Sequence, residues 1–121
     1  MLITDQNQIA EAISQIIGEE SYVSLRRTDF DQLCPHPACA LHVTAPTPAL
    51  LLERLEQELA AGGGVEPSCI IAHLRCANIR MSDLERIDAL LPRAPHFKRG
   101  LSFVPEDAEN EVWVFVEKAR R

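Results

Sequence analysis

The alternation of apolar and polar residues over positions 66–77 is the strongest structural signal in the chain. The even positions from 70 to 76 are all apolar, namely Ile70, Ala72, Leu74 and Cys76. The odd positions begin apolar and end polar, at His73 and Arg75. A period of two with β-branched residues is typical of a strand. Because one end is apolar on both faces, we predict an interior strand whose second face is partly covered.

Apolar residues at helical spacing predict the first helix near the N-terminus. Isoleucines at positions 9, 13, 16 and 17 form a single stripe, which is the pattern of an amphipathic helix packed on a core. We predict that this helix begins at a cap, Thr4 or Asp5, and runs to about Ile17. Gly18 then suits the left-handed conformation that often ends a helix.

Two more helices are predicted on either side of the central strand. One begins at Pro48 with Thr47 as its N-cap. The glycines at positions 62–64 end this helix and suit either a flexible link or a plain helix end. The other helix begins with a capping box, in which Ser82 is followed by Glu85 three residues later.

The remaining apolar stretches predict four further strands. Residues 21–27 and 38–45 alternate and would pair as an antiparallel ribbon across a proline-containing loop at positions 28–37. After a basic loop at positions 92–100, residues 101–104 and 111–118 would form a closing hairpin across an acidic turn. We therefore predict one α+β domain over residues 1–121, of order α-β-β-α-β-α-β-β. It would be a two-layer sandwich, with three helices packed mainly on one face of a mixed five-stranded sheet.

The order of elements from residue 66 onward suggests a relationship to a known fold. There a strand is followed by a loop, a helix and a hairpin with an acidic turn. In this order the chain resembles the C-terminal domain of the tubulin-like bacterial division proteins. The resemblance covers less than half of the chain and implies its fold only. Because no nucleotide-binding glycine loop is present, it implies no activity and no residue role.

Composition narrows the class of protein. With 121 residues, 46% of them hydrophobic, the chain has the size and composition of one globular domain. A net charge of −6 argues against a nucleic-acid partner. Apolar runs are too short to span a membrane and the N-terminus lacks a signal-peptide pattern. We therefore expect a cytoplasmic protein whose four cysteines are thiols or ligands.

A basic stretch near the end of the third helix suggests a binding site for an anion. Positive charge is concentrated at residues 93–100 of an otherwise acidic chain, which can mark such a site. The predicted pocket combines residues from this stretch with two arginines near the end of the central strand: Arg75, Arg80, Lys98 and Arg99. Phe97 would stack on a ring or contact a partner. The alternative is a solvated loop whose cations are favoured by a helix C-terminus.

A proline-stiffened loop offers candidate metal ligands. Cys34, His36 and Cys39 carry the thiol and imidazole groups that zinc prefers. On an extended strand, Cys69 and Cys76 would lie about 23 Å apart on opposite faces, so at most one residue of the central strand could join this site. Two small buried thiols, or a redox disulfide between Cys34 and Cys39, are the alternatives.

No catalytic motif is found, and His73 is the single candidate for a general base. We therefore predict a non-enzymatic binding or adaptor protein that recognises a protein partner or an anionic small molecule, without a cofactor. The alternative is a small enzyme that uses His73 with nearby arginines, or a metal-binding protein that uses the cysteine loop. We also expect a homodimer, formed through an edge strand or through the aromatic residues Trp113 and Phe115 of the last strand.

Overall fold

A computed structural model describes residues 1–19, 23–61, 67–91 and 93–118. The predicted glycine link at positions 62–64 lies outside these residues. The described elements are, in chain order, β1 (Leu2–Ile3), α1 (Gln6–Ile17), α2 (Arg27–Leu33), β2 (Cys39–Ala45), α3 (Pro48–Ala61), β3 (Pro67–Cys76), α4 (Met81–Leu90), β4 (His96–Phe103) and β5 (Asn110–Lys118). Among these residues, no helix combines the length and the apolar character needed to cross a membrane.

The five strands form a single mixed sheet in the order β1-β2-β5-β3-β4. Strands β3 and β4 are parallel, and the other neighbouring strands are antiparallel. Strand β3 lies between β5 and β4, and Ile70 and Ile71, which point to opposite faces, are both fully buried. The prediction of an α+β fold with a mixed five-stranded sheet and an interior strand at positions 66–77 is confirmed. The described helices number four, one more than predicted.

The extra helix replaces part of the predicted ribbon. Helix α2 occupies the start of the predicted loop. Positions 21 and 22 of the predicted strand at 21–27 lie outside the described residues, and its described part, positions 23–27, does not form a strand, so that part of the prediction is wrong. In this stretch Val23 forms an isolated antiparallel bridge to Leu101, and β2 pairs with β1 and β5 instead. The short helix is stabilised at its start, where the Arg26 main-chain N–H donates to the Asp29 carboxylate over 2.7 Å. It also buries Phe30, which is 3% exposed.

The predicted closing hairpin is also wrong. Strand β4 begins at His96, within the predicted loop, and both β4 and β5 pair with β3. Because α4 crosses over between β3 and β4, these two strands are parallel, which a helical crossover allows. Strand β5 then lies in the sheet interior, where Val114 and Phe115, on its opposite faces, are fully buried.

The helix starts agree with the sequence in two of three cases. The Asp5 carboxylate accepts the main-chain N–H groups of residues 7 and 8, and Thr47 Oγ1 accepts that of residue 50. Helix α4 begins at Met81, before the predicted capping box, and its start is held by the Asp83 carboxylate, which accepts the N–H of residue 80. Gly18 has φ −83°, which is right-handed and not the predicted left-handed conformation.

Helices cover both faces of the sheet. Helices α3 and α4 pack on the face that carries the even positions of β3, and we call this the α3/α4 face. Helices α1 and α2 pack on part of the opposite face, which we call the α1/α2 face. The second layer of helices adds to the predicted two-layer arrangement. It leaves the other part of the α1/α2 face without a helix among the described residues, and polar side chains concentrate there.

Candidate functional site

The polar part of the α1/α2 face consists of two rows of side chains that run across the sheet. Strand register places His42, Trp113 and His73 next to one another on β2, β5 and β3. The following row contains Thr44, Glu111, Arg75 and Ser102. We call these residues the polar rows. The neighbouring row on the same face consists of Ala40, Phe115 and Ile71, which are buried under α1 and α2.

Glu111 is at the centre of the polar rows. Its carboxylate accepts a hydrogen bond from Trp113 Nε1 at 3.1 Å. His42 Nε2 lies 3.0 Å from the same carboxylate, and an Arg75 guanidinium nitrogen lies 3.9 Å away. The close contact with His42 is the main cause of a lowered pKa for Glu111, and burial opposes it. Arg75 also forms an ion pair with Glu19, at 2.9 Å. The cluster therefore holds a charged carboxylate among donors at neutral pH.

The aromatic residues of β5 do not form the exposed patch that the sequence suggested. The indole ring of Trp113 stacks on His42, with ring centres 4.0 Å apart, and lies parallel to Phe115 at 5.7 Å. Phe115 is fully buried and meets the edge of Phe30 at 5.4 Å. Trp113 is only partly exposed, and Phe115 has no surface to offer a second molecule.

His73 is buried below the surface of the polar rows. It is 0% exposed, and its Nε2 lies 3.2 Å from Ser102 Oγ. Its Nδ1 has no hydrogen-bond partner in the part of the chain that the structure describes. Burial, assisted by the nearby Arg75 charge, lowers the pKa of His73 to about 4, so the ring is neutral at pH 7. A side chain without accessible surface has no contact with a dissolved substrate, so this geometry does not favour a general base.

The structure does not bring the four predicted anion-binding cations together. Arg75 and Lys98 lie on the α1/α2 face, where Lys98 Nζ binds Asp29 at 2.6 Å. Burial raises the pKa of Asp29, whereas the hydrogen bond from Lys98 lowers it, and the net result is a lowered pKa. Arg99 lies on the α3/α4 face and binds Asp88 and the main-chain oxygen of Leu84.

Arg80, the fourth cation, lies at the start of α4. It lines a cavity of about 620 Å³ between the starts of α3 and α4, beyond the carboxyl ends of β2 and β3. Asp83 also lines this cavity, and its carboxylate is bonded to the Arg80 main chain. Arg80 and Asp83 are therefore the charged residues among those described that line this cavity, and the other predicted cations lie elsewhere.

The candidate metal ligands are dispersed. Cys34 is fully buried at the end of α2, where its thiol is hydrogen-bonded to that of Cys69, and burial raises the pKa of both. Cys39 is half-buried, and the exposed His36 donates its main-chain N–H to the Glu117 carboxylate at 3.1 Å. In the described residues no three His, Cys, Asp or Glu side chains lie close enough to hold a metal ion. All four cysteines are free thiols.

Strand β4 lies at the edge of the sheet, and in the described residues only part of its outer side is paired. The main-chain groups of Leu101 exchange two hydrogen bonds with Val23, at 2.9 and 3.0 Å, so they point away from β3. By the alternation of a strand, those of Phe97 and Arg99 point outward too. Within the described ranges, no other strand pairs with β4 at these two residues. We call residues 96–99 the open edge of β4.

Exposed apolar side chains concentrate on the same strand. Phe97 is 41% exposed, Phe103 is 55% exposed, and Val23, the bridge partner, is 41% exposed. In the part of the chain that the structure describes, the other large exposed apolar residues are Met1, Leu2 and Met81. An unpaired edge with apolar side chains is a template for a further strand, and proteins usually protect such edges.

Comparisons with known proteins support the fold described above, and they establish nothing about function. No protein-family model matches the sequence, and no curated protein matches it. Among solved structures, the chain is similar to CetZ from Methanosaeta thermophila strain DSM 6194, with a TM-score of 0.59 and 13% sequence identity. The match covers 94% of this chain and 35% of that one, so this chain spans about a third of the matched protein. At this identity the likeness establishes the fold alone.

The sequence pointed to some of these features and missed others. It singled out Phe97, Lys98 and Arg99, but as a loop, because a preceding proline and several cations are typical of loops. It gave no role to Glu111 beyond the acidic turn. Strict alternation of residues 111–115 places Glu111, Trp113 and Phe115 on one face, so that pattern was a signal for the centre of the polar rows.

Proposed function

We propose that this protein is a non-enzymatic binding module, an adaptor that recognises a protein partner by accepting an extended segment of that partner along the open edge of β4. One observation supports the proposal above all others. The outward main-chain groups of Phe97 and Arg99 are left unpaired by the described elements, next to the exposed Phe97 ring. Strand addition to a free sheet edge is a common mode of peptide recognition.

The geometry limits the length of the added strand. Val23 already occupies the outward groups of Leu101, so a partner can pair only with the residues before it. Phe97 and Arg99 together offer two N–H and two C=O groups. At about 1 kcal/mol for each hydrogen bond formed, these groups and the Phe97 ring support a weak and reversible complex. Such an affinity is typical of an adaptor.

A second copy of the chain is the competing occupant of the same edge. Pairing of β4 with β4 of another copy would give the homodimer that the sequence suggested, and sedimentation velocity across a range of concentrations distinguishes it from a monomer. We also propose a cytosolic location, which the four free thiols support because reducing compartments keep thiols in this form.

Nuclear magnetic resonance of the labelled protein tests the proposal with a neutral probe. The probe is a blocked eight-residue peptide of alternating threonine and valine. We expect shifts in the amide signals of residues 96–99 and slower hydrogen exchange at Phe97 and Arg99. If the peptide shifts only signals elsewhere, or none at millimolar concentration, the proposal is wrong.

Two substitutions at one position separate the main chain from the side chain. Phe97→Pro removes an outward N–H without touching the ladder to β3, and proline is tolerated on the outer side of an edge strand. It should weaken binding about tenfold, because the variant loses both a main-chain hydrogen bond and the exposed ring. Phe97→Ser keeps the N–H and should weaken binding by less. Equal losses in the two variants would assign the site to the ring alone.

A further inference from the structure

We infer that the segment accepted by the open edge of β4 is acidic as well as apolar: a large apolar residue flanked on both sides by Asp or Glu. This inference rests on the proposed function, and it specifies the chemistry of the partner. It is supported by the arrangement of side chains around β4 and by the local charge.

The two faces of the open edge differ in character. Phe97 is the register partner of Ile70, which belongs to the core of the α3/α4 face, so its ring lies on that face. Lys98 is the register partner of Ile71 and lies on the α1/α2 face, and His96 shares that face by alternation. A strand added beside β4 follows the same alternation. Its residue opposite Phe97 meets an exposed ring, and the two neighbouring residues meet His96 and Lys98.

The local charge is positive although the chain is acidic. Residues 93–99 contain Arg93, His96, Lys98 and Arg99 and no acidic residue, in a chain of net charge −6. Lys98 is paired with Asp29, but its side chain remains 38% exposed. His96 and Arg93 are exposed and form no ion pair with the described residues. Carboxylates on the added strand would therefore meet the Lys98 ammonium and the His96 ring directly opposite them, and the opposite charges of a carboxylate and Lys98 favour pairing across neighbouring strands.

The same charges disfavour a second copy of the chain. In an antiparallel pair of two β4 strands that uses the outward groups of Phe97 and Arg99, Lys98 would lie opposite Lys98 of the other copy. Like charges directly opposite each other destabilise a pair of strands. A foreign acidic segment fits this edge better.

Three blocked eight-residue peptides test the charge preference. They alternate valine with glutamate, threonine or lysine, and their binding is followed through the amide signals of residues 96–99 at low salt. We expect the glutamate peptide to bind about two- to fivefold more tightly than the threonine peptide, from the favourable charge pair with Lys98. The lysine peptide should bind most weakly. The preference should shrink at high salt.

A matched pair of substitutions locates the preference. Lys98→Gln should reduce the preference for glutamate over threonine about two- to threefold, as expected for one charge pair. Arg86→Gln removes a cation from α4 that faces Glu56 and not the open edge, and it should leave the preference unchanged. Thermal unfolding of both variants checks that the fold is intact.

The outcomes separate this inference from the proposed function. If all three peptides bind residues 96–99 equally, the charge preference is wrong and strand addition stands. If none binds there, strand addition itself fails. A dimer that forms without peptide and occupies the open edge would show a second copy as the occupant and overturn the inference.

Discussion

Acidification should destabilise the fold through His73 before it affects the carboxylates. His73 is fully buried and has a pKa of about 4 in the folded protein, against an ordinary value of 6.5. The unfolded chain therefore binds a proton at His73 as the pH falls below about 6.5, while the folded chain binds it only near pH 4. Proton binding by the unfolded state alone lowers the free energy of unfolding over this window.

The magnitude follows from the two pKa values. Between pH 7 and pH 5, a single group with these values lowers the free energy of unfolding by roughly 2 kcal/mol. Glu111 and Asp29 both have lowered pKa values, so the stability they contribute is lost only as the pH falls further, through and below their ordinary range. The window between pH 7 and pH 5 therefore isolates histidine from these carboxylates.

Urea unfolding at pH 7, 6 and 5 measures the effect in the unaltered protein and in His73→Gln. The variant should be less stable at pH 7. Because glutamine is neutral over the whole range and can bond to Ser102, the variant should lose less free energy of unfolding on acidification. The difference between the two slopes is the contribution of His73. If both proteins lose the same free energy between pH 7 and pH 5, the argument that burial lowers the pKa of His73 is refuted.

Three further predictions concern packing, an ion pair and thiol exposure. Gly100→Ala should lower the free energy of unfolding by about 1–3 kcal/mol, because an added Cβ would lie 2.7 Å from a leucine side chain. In the control Gly18→Ala, the nearest atom to the added Cβ is 3.4 Å away, so the free energy of unfolding should change by less than about 1 kcal/mol. If urea unfolding shows equal losses of free energy in the two variants, the packing argument is wrong. Asp29→Ala should cost about 1–2 kcal/mol because it removes a helix cap and an ion pair, whereas Lys98→Ala removes only the ion pair and should cost less, as urea unfolding will show. In the folded protein Cys39 should react fastest with a thiol reagent, because the other three cysteines are fully buried, and a fast phase that survives Cys39→Ser would show otherwise.

The long periodic segments were predictable because burial of one face dictates their pattern. The isoleucine stripe gave α1, the leucines after Pro48 gave α3, and strict alternation gave β3. Helix α2 has only seven residues, too few for a recognisable period. It is held by the burial of Phe30, which is not visible before the rest of the fold is known. The carboxylate cap from Asp29 is local, but without an apolar period after it the cap does not predict a helix.

Strand partners were less predictable than strands. Neighbours along the chain usually pair, so β4 and β5 suggested a hairpin. Their true partner is β3, because β5 is apolar on both faces around Val114 and Phe115 and therefore belongs inside the sheet. Local alternation shows that a segment is extended, but it does not show which edge will receive it.

The candidate sites were the least predictable part. Lys98 forms its ion pair with Asp29, 69 positions away, and the thiol of Cys34 is hydrogen-bonded to that of Cys69 on the central strand. The sequence identified the chemical groups, whereas the distances between them depend on the topology. Three of the four cations that appeared to share one region, Arg75, Lys98 and Arg99, instead have separate partners on two faces of the sheet. The fourth, Arg80, lines a cavity at the start of α4.

The central place of β5 has a consequence for how the chain reaches its native state. Among the described strands, the pair β1-β2 and the pair β3-β4 are joined within the sheet only through β5, which comes after the other four in chain order. Until it is inserted, each of the two half-sheets has an unpaired edge that can pair with a strand from a neighbouring nascent chain. Such long-range closure slows folding and prolongs exposure to aggregation. A fragment that stops before Asn110 should therefore precipitate or require a chaperone, even though it contains all four helices.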